Sequence, residues 1–161
     1  MSSPESFRAL AAPQLERIAD CHVEVGPPID VGETPAGRRR LIPILGGQFF
    51  GPLLQGRVLP GGADTQLVVG PELVHLHARY VVETEHNELV YIENEGIRVA
   101  SPELIARINR GETVDPALVY CRTRPRFETA AKSLAWLMTS TFVGTARRAP
   151  SYVELAFFRV L

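Results

Sequence analysis

Cysteine is scarce in this chain: Cys21 and Cys121 are the two in 161 residues, and no CxxC spacing joins them. A reducing compartment would leave both as thiols, so packing is the role expected of each. Long apolar runs are also missing. No stretch approaches the roughly 20 uninterrupted apolar residues of a membrane helix, and the polar start MSSPESFRAL lacks the basic and apolar regions of a signal peptide. A soluble, cytoplasmic protein with no membrane partner is expected. A formal net charge of -1 and a pI near 6.4 leave no basic footprint for nucleic acid. The one basic block, Arg38-Arg39-Arg40, reads as the solvated start of a strand. There is no Gly-x-Ser-x-Gly elbow for a serine nucleophile, and neither cysteine has a matched histidine in sequence. The glycine-rich turns join strand to strand, not strand to helix, which excludes the nucleotide-binding fingerprint. Internal repeats and low-complexity segments are absent as well.

What remains is a chain with 45% hydrophobic residues, the size of one domain over 1–161, with 1–19 as a peripheral segment. Alternation and turn residues mark strands at 21–25, 39–45, 51–59, 66–69, 73–84, 89–94, 118–124, 140–147 and 152–160. A helix is expected at 101–108, where Ser101 can cap, Pro102 suits the first helical position and Gly111 lies just beyond the end. Shorter helical turns are expected at 131–137 and 13–18. Strands at this density, without alternating helices, predict a mainly all-β fold: an antiparallel barrel of eight or nine strands with one or two short helices.

The segment GGQFFGPLLQGRVLPGGADTQ, residues 46–66, carries the strongest local signal. Gly46-Gly47 and Pro60-Gly61-Gly62 supply the turns and close chain approaches that bulges need. Asp64 and Gln66 then follow at a spacing of two, so an extended chain points them the same way. In 73–84, Val74, Leu76, Ala78, Tyr80 and Val82 share one face, and His75, His77, Arg79 and Glu83 share the other. An eight-stranded barrel has room for a small ligand, so the polar face, aimed inward, would line a pocket. His77 beside His75 and Arg79 is then a candidate general base, with Asp64 orienting it or acting as the base itself. Tyr91 is a candidate proton donor to an oxyanion. His75-Leu76-His77 also has the two-residue histidine spacing of cupin barrels, but Glu83 or His86 would have to complete the ligand set and the second cupin motif is missing. No metal and no cofactor is expected.

Nearly the whole chain, from about Cys21 to Val160, resembles the family of small proteins catalogued as domain of unknown function 3237. The segments that carry the likeness are GPPIDVGETPAGRRRLIPILGGQFFGP, GRVLPGGADTQ, ARYVVETEHNELVYIENEGIR, RTRPRFET and WLMTSTFVGTARR. The resemblance implies a calycin-like antiparallel barrel. Matching polar positions include Arg57, Asp64, Gln66, Arg79, Tyr80, Asn94 and Arg122. The chain departs from the family pattern at Thr65, His77 and Met138, where Trp, Asp and Asn are usual. These departures imply a reshaped pocket with a different acid-base group.

Two functions follow as expectations. The first is a cofactor-free enzyme, of isomerase, cyclase, lyase or hydratase type, acting on a small apolar carbonyl or phenol inside the barrel. Asp64, His77, Arg79 and Tyr91 would be its catalytic residues, with His75, Gln66, Arg122, Phe127, Trp136 and Met138 as substrate contacts. The second is a lipocalin-like carrier, in which Arg79 and Arg122 pair a ligand carboxylate while Phe127 and Trp136 cover its apolar part. The last strand is apolar on both faces, with Val153, Leu155 and Phe157 on one and Tyr152, Ala156 and Phe158 on the other. Its second face would be covered by the 101–108 helix or by a homodimer contact.

Overall fold

The computed structural model describes residues 10–161. The alternating segments form strands β1 (Leu15–Val25), β2 (Ile29–Thr34), β3 (Gly37–Phe50), β4 (Gly56–Val58) and β5 (Ala63–Val69), followed by β6 (Leu73–Thr84) and β7 (Leu89–Val99). After helix α1 (Pro102–Asn109) come β8 (Tyr120–Thr129), β9 (Thr141–Arg148) and β10 (Tyr152–Val160). All pairings are antiparallel and run β1-β10-β9-β8-β7-β6, then through β5 to β3, and β3 pairs back onto β1. An eight-stranded barrel is therefore closed, which removes the edges an open sheet would expose. The long β3 makes closure possible by changing partners along its length. Its first half lies between β2 and β5, its second between β1 and β4, and Gly46-Gly47 marks the change.

Period-two alternation sorts each strand into an inner and an outer face. At one end the inner faces supply Ile18, Phe49, Val82, Val90, Phe127, Phe142 and Phe157, all buried. Phe127 meets Phe142 edge-on at 4.8 Å and Phe157 at 6.0 Å, the T-shaped packing aromatic quadrupoles favour. A 3-10 segment, Lys132–Met138, plugs this end with Leu134 and Leu137. Leu137 is 1% exposed, so Leu137→Ala should cost about 2–5 kcal/mol in a denaturant titration. A loss under about 1 kcal/mol would mean the plug adds little to the core.

Helix α1 forms as its cap predicts. Ser101 Oγ accepts a hydrogen bond from the Leu104 N–H at 3.3 Å, Pro102 opens the helix, and Gly111 beyond it has φ +79°. Elsewhere the chain departs from local expectation. The stretch 13–18 is not helical: from Leu15 it belongs to β1 and pairs with β10 from Val160 backwards. Residues 15–19 are thus barrel wall, not a peripheral segment, because long-range pairing overrides a weak local preference. Of the rest of the expected peripheral segment, 10–14 is exposed chain without regular structure and 1–9 lies outside the described residues. β2 was unexpected because Ile29–Thr34 is mostly exposed and follows Pro27-Pro28. In 51–59 only Gly56–Val58 is strand. β8 continues past Arg124 through Pro125, which is tolerated because the β8–β9 pairing extends no further than Thr123.

The outer face of β10 is met by side chains of β1. Arg17 of β1 lies over the Phe158 ring at 5.0 Å, and His22 stacks on Tyr152 at 4.5 Å. No helix among the described residues is long and apolar enough to cross a membrane.

Candidate functional site

At the end opposite the plug the barrel holds a cavity of about 310 Å³, within the range that takes small molecules. Its wall is largely aliphatic, with Val23, Val25, Ile42, Ile44, Leu76, Ala78, Val153 and Leu155. Ile108 of α1 and the segment after it, including Glu112, Val114, Pro116 and Val119, form the lid.

Set into this wall are Asp64 and Gln66 of β5, Tyr80 of β6, Asn94 and Arg98 of β7, Cys121 and Thr123 of β8, and Arg148 of β9. Asp64 is held from two sides. Its Oδ1 accepts the His77 backbone N–H at 2.9 Å, and its Oδ2 accepts from Gln66 Nε2 at 2.8 Å. Gln66 Oε1 in turn accepts from Arg40 Nη2 at 3.0 Å. This relay has one direction, because a guanidinium can only donate and must meet the amide oxygen, leaving the amide N–H groups for Asp64. At this point the β5–β6 ladder skips Thr65 and Gln66. The two backbone groups of His77 bond side chains instead, its N–H to Asp64 and its carbonyl to Thr65 Oγ1 at 3.1 Å.

Among the described residues, several polar groups around the cavity have no partner. The Tyr80 hydroxyl, Asn94 Oδ1, Arg98 Nε, Thr123 Oγ1 and Arg40 Nε are all buried and unbonded, a state that costs free energy unless something fills it. Burial holds the Tyr80 phenol well above its usual pKa, with Cys21 and Asp64 adding to the shift, so it stays protonated. Burial depresses Arg98 and Arg148 below the usual arginine range, Arg148 and Arg40 reinforce the effect on Arg98, and Arg40 reinforces it on Arg148. Burial raises the Cys121 thiol too, and it pushes Cys21 up to about 12. Neither cysteine is thereby primed as a thiolate.

The structure brings together only part of the expected site. Asp64 and Gln66 face the cavity, but β6 turns its apolar face inward, with Val74, Tyr80 and Val82 buried. His75, His77 and Arg79 therefore stand on the outer wall, the reverse of the expected orientation. The physical reason is the plug end: the face that carries Val82 must bury there, and alternation then fixes every other residue of the strand. Tyr91 is on the outer face of β7, between the buried Val90 and Ile92. Arg122 is on the outer face of β8, with its guanidinium over the Tyr120 ring at 5.1 Å. Phe127 packs in the plug end, Trp136 sits on the plug 6.0 Å from Phe142, and Met138 is exposed. None of these three lines the cavity.

On the outer wall His77 Nε2 lies 2.9 Å from Glu93 Oε1 and 3.5 Å from Glu95 Oε1. The three residues could offer converging ligand atoms to a cation. Guanidinium groups already occupy them: Arg126 and Arg79 reach Glu93 at 3.2 and 3.4 Å, and Arg124 reaches Glu95 at 3.5 Å. His77, Arg79 and Arg126 hold the Glu93 carboxyl below its usual pKa. This is an ion-pair network first, and three fixed cations oppose a fourth. Glu83, considered as a histidine partner, instead binds Arg57 at 2.6 Å.

Sequence reasoning missed Arg40, Arg98 and Arg148, and it placed the phenol at Tyr91 where the cavity has Tyr80. A signal was present. Arg98 is in register with Val90, Ile92 and Asn94, and Arg148 with Phe142, so each lies on its strand's apolar face.

Known proteins match this chain along most of its length. A UPF0311 protein of Rhodopseudomonas palustris is 46% identical over 137 residues, which is 85% of this chain and 90% of the relative. Its crystal structure, described as a conserved protein of unknown function, aligns with a TM-score of 0.89 at 41% identity and covers 94% of this chain and 100% of that one. A β-barrel-like protein from Acinetobacter baumannii aligns with a TM-score of 0.83 at 34% identity, covering 96% and 100%. A protein described as an enzyme, from Penicillium herquei, shares the fold with a TM-score of 0.72 at 17% identity, covering 96% and 99%. The sequence profile for the protein of unknown function DUF3237 matches residues 13–160, and the chain belongs to that family.

Proposed function

We propose that the barrel is a cofactor-independent acid-base enzyme that moves a proton on a small, largely apolar carbonyl or phenol compound held in the cavity. The observation that carries this reading is Asp64, a carboxylate fixed at the cavity wall by the Arg40–Gln66 relay and the His77 N–H, facing unbonded donors. Asp64 takes a proton from a carbon or oxygen acid of the substrate, and negative charge collects on the substrate oxygen. The Tyr80 O–H and a cavity guanidinium stabilise that oxygen by hydrogen bonding within the largely aliphatic wall. Return of the proton to a second atom completes an isomerisation, and departure of a neighbouring group completes a lyase reaction. His77 serves through its backbone, while Arg79 and Tyr91 support the outer wall. That the Penicillium herquei protein of this fold is described as an enzyme supports a catalytic use of such a barrel.

The competing reading is a carrier, favoured by the unfilled polar groups alone. Incubating the purified protein with a small-molecule extract and following each compound by mass spectrometry separates the two. Conversion of a bound compound, with a matching product that grows with time, supports the enzyme. Recovery of the bound compound unchanged after prolonged incubation overturns it in favour of carrying.

A further inference from the structure

The positive charge inside the cavity exceeds what the fold provides to balance it. Arg98 lines the cavity and is 7% exposed. It makes no side-chain hydrogen bond and no ion pair among the described residues, and neither does Arg148. Arg40, the third inward guanidinium, bonds Gln66 and has no carboxylate within ion-pair distance among the described residues. Arg147, next to Arg148, is neutralised by Glu154 on the outer wall. Asp64 is the one inward carboxylate among β3, β5, β6, β7, β8 and β9, and its oxygens already accept from Gln66 and His77. Glu112 of the lid is tied to Arg107 and Arg110 at 2.9 and 2.8 Å. An apolar-ligand cavity would need no buried arginine at all, since a guanidinium left unpaired out of water is destabilising and aliphatic residues would fill the wall at no such cost.

We infer that the compound bound here carries a carboxylate, received at the lid end of the cavity by Arg98 and Arg148. The inference rests on the cavity being the functional site, as proposed above, and adds the class of substrate: a small apolar acid. The planar fork of a guanidinium matches a carboxylate in two parallel hydrogen bonds, which a carbonyl or hydroxyl head cannot offer. The aliphatic wall of Ile42, Ile44, Val153 and Leu155 then takes the hydrocarbon part. Burial depresses both Arg98 and Arg148, with repulsion from Arg148 and Arg40 adding to it at Arg98 and from Arg40 at Arg148, and an anion held by the pair relieves this. The carboxylate also acidifies nothing by itself. It anchors one end so that the proton handled by Asp64 lies at a fixed distance along the molecule.

The test is calorimetric titration of the full chain with 2-naphthoate, 2-naphthamide and 2-naphthyl phosphate, probes of shared shape and different head. Wild type should bind the carboxylate at least about tenfold tighter than the amide, and the preference should fall below about threefold in Arg98→Met and Arg148→Met. Without ligand, Arg98→Met should melt roughly 3 °C or more above wild type, because an uncompensated buried charge has gone. A merely structural arginine would give the opposite shift. Equal binding of acid and amide, tighter binding of the phosphate, no binding of the acid, or a lower melting temperature in Arg98→Met each overturns the inference. Asp64→Asn keeps the preference for the acid, since it removes negative charge. Acid preference without turnover in the extract experiment would therefore sink the enzyme reading alone, and turnover without acid preference would sink this one alone.

Discussion

Asp64→Asn should lower turnover of the compound found by the extract experiment by about 10²–10⁴-fold, the range ascribed to a positioned general base. The substitution keeps the size of the side chain, and the Asn oxygen can still accept the His77 N–H. What it cannot keep is the relay. Asn presents one amide N–H₂ group, and where that meets Gln66 Nε2 two donors face each other. Turning Gln66 over would move the clash to Arg40. A stability loss of about 1–2 kcal/mol is therefore expected, too small to unfold a domain of this size. His77→Ala supplies the control. It removes the imidazole from Glu93 on the outer wall but leaves the backbone N–H on Asp64, so turnover should stay within about threefold of wild type, under 1 kcal/mol in barrier. Initial rates and thermal melts of both variants decide the matter. Wild-type rates in Asp64→Asn, or a loss in His77→Ala as large as that of Asp64→Asn, would remove Asp64 from the role of base.

The contrast between Asp64 and His77 also explains how far the sequence can be read. Barrel, strand number and the capped helix were legible because they depend on local alternation, glycine placement and the Ser101-Pro102 pair. The direction of each face was not, because β6 alternates as cleanly whichever side it turns inward. Its neighbours decide. Val82 must join Val90 and Phe127 in the plug end, and from that contact the position of every side chain on β6 follows. Once the inner faces are known, a gradient emerges along several strands. β3 runs from Ile44 through Ile42 to Arg40, β7 from Val90 and Ile92 through Asn94 to Arg98, and β9 from Phe142 through Ala146 to Arg148. Each is apolar at the plug and polar toward the lid. A charged residue in register with an apolar face was the readable sign of the cavity, whereas clustering of charged residues on the opposite face of β6 marked a solvated ion-pair network.

Closure of the barrel is the other property that a single residue controls, and Gly47→Ala should cost about 3–5 kcal/mol, near the upper end for one substitution. Gly47 has φ +138°, a conformation that side chains rarely adopt. It is also crowded on the β1 side: a Cβ there would lie 2.1 Å from the His22 carbonyl oxygen and 3.0 Å from the Val23 Cα. Those atoms are backbone and cannot swing aside. Because Gly47 pairs with Val23 on one flank and Val58 on the other, β3 cannot retreat from β1 without pressing on β4. The β1–β3 seam must open instead, and Val23 and Val25 would leave the cavity wall with it. Gly32→Ala isolates the steric part. Gly32 also has a positive φ, +93°, but nothing lies within 4 Å of its Cβ position, so conformational strain alone should cost about 1–2 kcal/mol. Urea titration of the two variants should then differ by about 2 kcal/mol or more, and the ligand affinity of Gly47→Ala should fall while that of Gly32→Ala holds. Equal losses in both would show that the backbone angle, and not the approach of β1, is what demands glycine at this seam.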